Sequence, residues 1–422
     1  MTHIDHPDSP MYQPELTDMD RDKRFIGVSE SRTSDDQRNI SEYYEADNLS
    51  VIKIQGKLYF VEIGLGQFHD QPFHTNYLAL DTGSDVVWTQ CEGCSRCFQQ
   101  NTPLFPRSRS QTYQPFPCRQ CQGQCYQDHC TKTIGYGDGA AMSGIWATET
   151  FTFISQETVN GLSFACAIDI TDFKPANSRN NMVTGILGMS KGRDSLIKQL
   201  GDRAGNKFSF CLQQRNTRVQ SSPMFLSFGD YITSPAIMST TPILGRRGFY
   251  YVGLNGVSIG GMNLNIPPQY LTLRSDYTGG TIFDTGATTS RFVPGAFEMI
   301  KDAIDRYVEY YNGDTLRKRT TPNEYGLELC WEPLYNNPQV TFPTMFIHLR
   351  NNADMLVQPT EVITKYAYPG IPRPGLYCMT IQRANADFNS IGSFQMINQR
   401  VIIDVEAAQI SFAPTDCSNS NF

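Results

Sequence analysis

The sequence predicts an all-β protein built as two related lobes. Three observations predict it. Asp81-Thr82-Gly83-Ser84 recurs as Asp284-Thr285-Gly286-Ala287. Each copy follows a short apolar run, Leu78-Ala79-Leu80 in the first and Thr281-Ile282-Phe283 in the second. Short β-forming runs are separated throughout by turn residues, with 33 Gly and 24 Pro, too many for a helical protein. The repeat reaches beyond the two motifs. Gly188, closing Gly185-Ile186-Leu187-Gly188, lies 107 residues after Asp81, and Gly392, closing Ser390-Ile391-Gly392, lies 108 after Asp284. That interval exceeds the roughly 20–50 residues of a solenoid repeat and suits two lobes. A chain of 422 residues is also longer than a typical single domain of about 100–200.

Along the chain, residues 1 to about 50 are polar and charged, with Arg21, Lys23, Arg24, Arg32 and Arg38 among acids and no cysteine. By composition alone this is a tail. From Leu58 the pattern becomes β. Tyr59-Phe60-Val61-Glu62-Ile63 and Tyr77-Leu78-Ala79-Leu80 read as strands around a glycine-containing hairpin at Gly64 to Gly66. Further strands are expected over 145–153, 225–228, 250–254 and 401–403. Helices are few: 194–200, and 296–310, where Phe297, Ile300, Ala303, Ile304 and Val308 fall on one face. The boundary between lobes is placed near residue 235.

Composition narrows the function. Charged residues make up 18% and hydrophobic ones 40%, which is globular, and the net charge of −7 offers nothing to nucleic acid. No apolar run approaches the roughly 20 residues that span a bilayer. The six histidines show no His-x3-His pair, and Ser190, Ser290 and the other serines are read as lacking the Gly-x-Ser-x-Gly frame of a serine hydrolase. Neither a metalloprotease nor a serine hydrolase is indicated, and no metal or cofactor is expected.

The twelve cysteines are Cys91, Cys94, Cys97, Cys118, Cys121, Cys125, Cys130, Cys166, Cys211, Cys330, Cys378 and Cys417. The spacings Cys91-x2-Cys94-x2-Cys97 and Cys118-x2-Cys121 resemble a zinc ribbon, the competing reading. Disulfides account for more, because the count is even and the remaining cysteines are scattered through both lobes. The dense segment also has little apolar material to build a core and needs covalent staples. Disulfides imply an oxidising compartment. Thr2 to Asp20 lacks the apolar centre of a secretory signal. The expectation is a secreted protein whose signal is missing from this sequence.

Two aspartates on matched hairpins can face each other across a two-fold axis. So close, they cannot both ionise, and they share a proton. One then acts as general base, the other as general acid, and a water between them is the nucleophile. Thr82 and Thr285 can bond across the interface, while Gly83 and Gly286 allow close approach and offer N–H groups. Ser84 can donate to the outer oxygen of Asp81; Ala287 has no hydroxyl to do so for Asp284. Gly135-Tyr136-Gly137-Asp138-Gly139 has the glycine content of a mobile hairpin tip.

Together these residues resemble a pepsin-type aspartic endopeptidase, most closely the plant nepenthesin-like group. The resemblance runs from about Gly56 to Cys417. It rests on Leu80-Asp81-Thr82-Gly83-Ser84-Asp85-Val86-Val87-Trp88-Thr89-Gln90-Cys91, Tyr136-Gly137-Asp138-Gly139, Lys207-Phe208-Ser209-Phe210-Cys211, the second Asp-Thr-Gly, and Cys330, Cys378 and Cys417. It implies an N-terminal lobe over 56–235 and a C-terminal lobe over 236–422, with a cleft between them. It implies six disulfides with a cysteine-rich insert, a flap Tyr136 bonded to the ring N–H of Trp88, and polypeptide substrates cut at acid pH by a secreted or vacuolar monomer. His3-Ile4-Asp5-His6-Pro7-Asp8-Ser9-Pro10-Met11-Tyr12 resembles a prosegment opening, so residues 1–55 are expected to be a prosegment. Asn39-Ile40-Ser41 and Asn48-Leu49-Ser50, both glycosylation patterns, fall inside it. Several positions depart from the family pattern: Ala287 for Ser or Thr, Ala165 and Ala167 for glycines, Gln67 in place of a proline, and Ser390 for an apolar residue. The alternative function is a non-catalytic binding or glycosidase-inhibitor protein on the same fold. Intact Asp81, Asp284, Tyr136 and Trp88 favour the protease.

Overall fold

The computed structural model describes residues 49–55, 58–121, 124–137, 139–173, 181–213, 224–232, 234, 237–245, 248–319, 327–336, 338–366 and 375–418. Most of the expected prosegment, including the glycosylation pattern at Asn39 and the Asn48 of the second, lies outside them. The described chain is β-rich, with a 20-stranded sheet system and two separate four-stranded sheets. No described helix is long and apolar enough to cross a membrane.

The internal repeat is visible in the strand pairing. In the first half, strand His74–Asp81 runs antiparallel to Leu58–Leu65 and parallel to Gly185–Gly188, with Gly188 opposite Asp81. Strand Trp88–Gln90 then lies antiparallel to Gly185–Gly188. In the second half, Thr281–Asp284 runs antiparallel to Tyr251–Val252 and parallel to Asn389–Gly392, with Gly392 opposite Asp284. Arg291–Phe292 lies antiparallel to Asn389–Gly392 in turn. Gly188 and Gly392 share a reason to be glycine. A Cβ on Gly188 would fall on the Asp85 backbone, and one on Gly392 would come 2.5 Å from the carbonyl carbon of Thr289. Each lies where the loop after Asp-Thr-Gly crosses the neighbouring strand.

A second set of strands joins the halves. Leu49–Gln55, Met224–Phe228, Lys207–Cys211, Gln399–Asp404, Gln409–Pro414 and Ser239–Leu244 pair in that order, all antiparallel. The junction between Lys207–Cys211 and Gln399–Asp404 brings Phe208 opposite Ile403 and Phe210 opposite Val401, all buried. A disulfide between Cys211 and Cys417, 206 residues apart, ties the same place. The other bridges are Cys91–Cys166, Cys94–Cys97, Cys118–Cys125, Cys121–Cys130 and Cys330–Cys378. The zinc-ribbon reading rested on the spacings of Cys91, Cys94 and Cys97 and of Cys118 and Cys121. The sulfurs of Cys118 and Cys121 do lie close to each other and to that of Cys125, but every one of these cysteines is in a bridge.

The helix expected over 296–310 is Pro294–Asn312 and buries Ala296, Phe297, Ile300, Ile304 and Val308. Pro294 at its first turn lacks an N–H that would be unpaired there anyway, which starts the helix two residues early. The helix expected over 194–200 is shorter, Leu196–Leu200, because 192–195 form a turn closed by Ser195 N–H on the Gly192 carbonyl at 3.1 Å. The hairpin expected at Gly64 to Gly66 is longer. Gly64 stays in the ladder opposite Thr75. The bare face of Gly64 is covered by Phe73, whose ring a Cβ would meet at 2.5 Å, and the chain turns over 66–73 instead. The single strand expected over 250–254 is broken into Tyr251–Val252 and Leu254–Ile259, which belong to different sheets.

Candidate active site

The two Asp-Thr-Gly turns end the strands His74–Asp81 and Thr281–Asp284 and meet face to face. The threonines lock them. Thr82 N–H donates to Thr285 Oγ1 and Thr285 N–H to Thr82 Oγ1, both at 3.0 Å. Each hydroxyl in turn donates to the opposite strand: Thr82 to the Phe283 carbonyl at 3.0 Å and Thr285 to the Leu80 carbonyl at 2.8 Å. Both threonines are buried, so all four bonds form away from water and their loss would leave unpaired polar groups.

The glycines set the separation of the carboxyls. A Cβ at Gly83 would stand 2.6 Å from Asp284 Oδ1, and one at Gly286 would fall on Asp81 Oδ1. Any side chain at either position would therefore push the opposite carboxyl away.

The two carboxyls are held differently. Asp81 accepts from Gly83 N–H at 2.8 Å and from Ser84 Oγ at 2.5 Å, on separate oxygens. Asp284 accepts from Gly286 N–H at 3.0 Å and Ala287 N–H at 3.2 Å, both on Oδ1. Burial pushes the Asp284 carboxyl up to about 7, with the charge of Asp81 adding to the effect. Burial also raises Asp81, against the pull of the Ser84 hydroxyl and the Gly83 N–H. The pair titrates as a unit. Its stable form between the two ionisations carries one proton, with the charge favoured on Asp81, where the hydroxyl and amide donors converge.

The tip of the hairpin between His129–Gly135 and Ala141–Thr152 carries Tyr136, whose N–H closes on the Ala140 carbonyl at 2.8 Å. Trp88, fully buried, donates its ring N–H to the Tyr136 hydroxyl at 2.6 Å. Gly137 sits exposed at the tip.

Three features escaped sequence reading. The first is aromatic: Phe98 and Phe173 stack on each other with centroids 5.0 Å apart, and both pack edge-on to Trp88, at 6.4 and 5.5 Å. Phe98 follows Cys97 directly, so the cysteine-rich insert helps to hold the ring that bonds Tyr136. The second is Asp85, which accepts from the Ser190 hydroxyl and whose charge raises Asp81 further. Its only sequence signal was its place four residues after Asp81. The third corrects the reading of the serines: Ser190, in Gly188-Met189-Ser190-Lys191-Gly192, and Ser258, in Gly256-Val257-Ser258-Ile259-Gly260, do have a Gly-x-Ser-x-Gly frame, and the Ser190 hydroxyl is taken up by Asp85.

The comparisons with known proteins place the family and the fold. A family model described as "Xylanase inhibitor N-terminal" matches residues 59–230, and one described as "Xylanase inhibitor C-terminal" matches 249–414. The chain is similar to aspartyl protease family protein 2 of Arabidopsis thaliana, 31% identical over 372 residues, covering 85% of this chain and 71% of that protein. It is similar also to aspartic proteinase nepenthesin-2 of Nepenthes gracilis, 31% identical over 352 residues, with 81% and 74% covered. Among solved structures, basic 7S globulin from soybean superposes with a TM-score of 0.64 at 16% identity, over 89% of this chain and 98% of that one. At that identity the likeness speaks to the bilobal β fold alone. The matched segments lie on either side of the expected lobe boundary and enclose one Asp-Thr-Gly each, and the chain belongs to the plant pepsin-like aspartic protease family.

Proposed function

We propose that the protein is an aspartic endopeptidase that hydrolyses polypeptides at acid pH, with Asp81 and Asp284 as its catalytic pair. The observation that carries this reading is the asymmetry of the pair. Asp81, with amide and hydroxyl donors on its two oxygens, is suited to hold the negative charge and take a proton from a water. Asp284, raised to about 7, is suited to keep its proton and deliver it to the peptide carbonyl as the water attacks. Collapse of the tetrahedral intermediate returns a proton to the leaving amine. Tyr136 and Gly137 would close over the substrate and exclude bulk water, with Trp88 setting the tyrosine's position. Residues 1–55 would act as a prosegment released in acid, and the disulfides suit a secreted or vacuolar site.

The test is digestion of a denatured protein across graded acid pH, with and without a statine-type inhibitor. Inhibitor-sensitive cleavage that rises in acid is expected. Absence of cleavage, after any N-terminal fragment has been released, would favour the second reading. That reading is a non-catalytic inhibitor of a glycosidase, and the family-model descriptions favour it specifically.

The missing hydroxyl at Ala287 has a measurable consequence. A hydrogen bond to a charged acceptor contributes about 1.5–3 kcal/mol, and about 1.4 kcal/mol corresponds to one pKa unit. Ala287→Thr supplies such a donor to Asp284 and stabilises the shared anion. With part of that offset by solvent, the acid limb of kcat/KM should move to lower pH by roughly 0.5–1 unit. An unmoved limb would mean that Asp284 already has an equivalent donor.

A further inference from the structure

We propose that Ser258, His348 and Asp354 form a second nucleophilic site, able to take a small acyl group from an activated ester. The three residues lie on adjacent strands of a four-stranded sheet in the C-terminal half: Leu254–Ile259, Met345–Leu349 and Ala353–Val357. His348 stands directly opposite Asp354 and Gly256. Ser258 Oγ lies 2.7 Å from His348 Nε2, and His348 Nδ1 lies 2.7 Å from Asp354 Oδ1. A carboxylate only accepts, so Nδ1 carries the hydrogen and Nε2 presents its lone pair to the Ser258 hydroxyl. This is the connectivity that turns a serine into a nucleophile, with a base at hydrogen-bond distance and a carboxylate fixing the base's tautomer.

The surroundings leave room for an acyl group. Gly256 has no side chain, and a Cβ there would stand 3.9 Å from both Asn263 Oδ1 and His348 Cδ2. The space above Gly256 is thus a notch between these two residues. Asn263 is the direct cross-strand partner of Ser258, which puts its side-chain amide on the same face. The ladder slips between Leu254 and Gly256, and such irregularities re-aim neighbouring side chains. Ser258 lies within a strand and not on a strained strand-to-helix turn, and Asn263 turns toward the notch its carbonyl Oδ1, an acceptor already taken by the Asn265 N–H at 2.9 Å, and not a donor for an oxyanion. The reaction expected is therefore slow acyl transfer from activated esters, not peptide hydrolysis.

In that reaction Ser258 Oγ bonds to the acyl carbon and its proton passes to His348 Nε2. The bond from carbon to the leaving alkoxide then breaks, and the alkoxide takes that proton. Water repeats the sequence in reverse, releasing the carboxylic acid and restoring the hydroxyl.

The experiment treats the full chain with p-nitrophenyl acetate near neutral pH and maps acetyl groups by peptide mass spectrometry. The expected result is one acetyl group on the peptide containing Ser258, with release of p-nitrophenolate unaffected by a statine-type inhibitor. His348→Gln should slow acetylation by about 10²-fold or more, and Ser258→Ala should remove it, with native folding of both checked by thermal melting. Acetylation spread over lysines, tyrosines and other serines, with Ser258 no faster, would overturn the proposal whatever the variants do. So would acetylation of Ser258 at the parent rate in folded His348→Gln. The three residues would then be a hydrogen-bonded ladder between strands.

Discussion

Asp81→Asn and Asp284→Asn should each lower kcat/KM for peptide cleavage by about three to four orders of magnitude. Asparagine keeps the size of each side chain, so the Thr82–Thr285 lock and the turns stay in place. What changes is proton chemistry. At position 81 the amide cannot accept a proton from water, and it presents an NH2 to one of the two donors, Gly83 N–H or Ser84 O–H, that now serve the carboxylate. At position 284 the amide cannot deliver a proton to the carbonyl oxygen. The losses should not add, because one shared proton does both jobs. The double variant should be no more than marginally worse than either single one. Initial rates on a soluble peptide, at several acid pH values, check this. If either variant kept rates within roughly tenfold of the parent, a mechanism using both carboxyls would be excluded.

The dyad was legible because its evidence is local and duplicated. Four contiguous residues occur twice, and the glycines at 188 and 392 repeat at matching intervals, which became matching positions opposite Asp81 and Asp284. The helix Pro294–Asn312 was legible because one buried stripe suffices to write its period. The junction of Lys207–Cys211 with Gln399–Asp404 was not. Both strands are apolar runs, and nothing in either says which distant run it pairs with. Disulfide pairing was hidden for the same reason, since twelve cysteines admit very many connectivities. The contact of Phe98 and Phe173 with Trp88 depends on how segments distant in sequence fold together. Ser258, His348 and Asp354 come together only because three strands align in one register, with Ser258 and His348 ninety residues apart.

The pair of carboxyls should also shape stability, and the direction follows from burial. Asp284 rises from 3.8 to about 7 in the folded protein. Between those values the folded state holds a proton that the unfolded chain has released. A raised carboxyl therefore contributes stability that is complete below about pH 4 and is lost as pH rises through about 7. The full shift of about three units corresponds to roughly 4 kcal/mol. Asp284 is only partly screened from the cleft, so roughly 2–3 kcal/mol is the expected loss, or about 5–10 °C in Tm for lobes of this size. Asp81, paired with Asp284, and buried Glu149 and Glu361 are raised too and act with the same sign. The carboxyls held low by hydrogen bonds, at Asp70, Asp169, Asp276 and Asp416, act oppositely, but their window lies below about pH 4 and they are exposed or, at Asp169, partly so. His74, lowered by burial, opposes the trend below its ordinary value of 6.5. Asp284→Asn separates these contributions. It removes the titration of residue 284 while leaving the glutamates and His74 as they were. Thermal melting of the parent should show Tm falling from mildly acid to mildly alkaline pH, and the variant should show a clearly shallower fall. Equal slopes in parent and variant would mean that Asp284 is not raised by folding. The shared proton would then lose its physical basis, because the pressure that keeps one carboxyl protonated for catalysis is the same pressure that weakens the fold when alkali removes it.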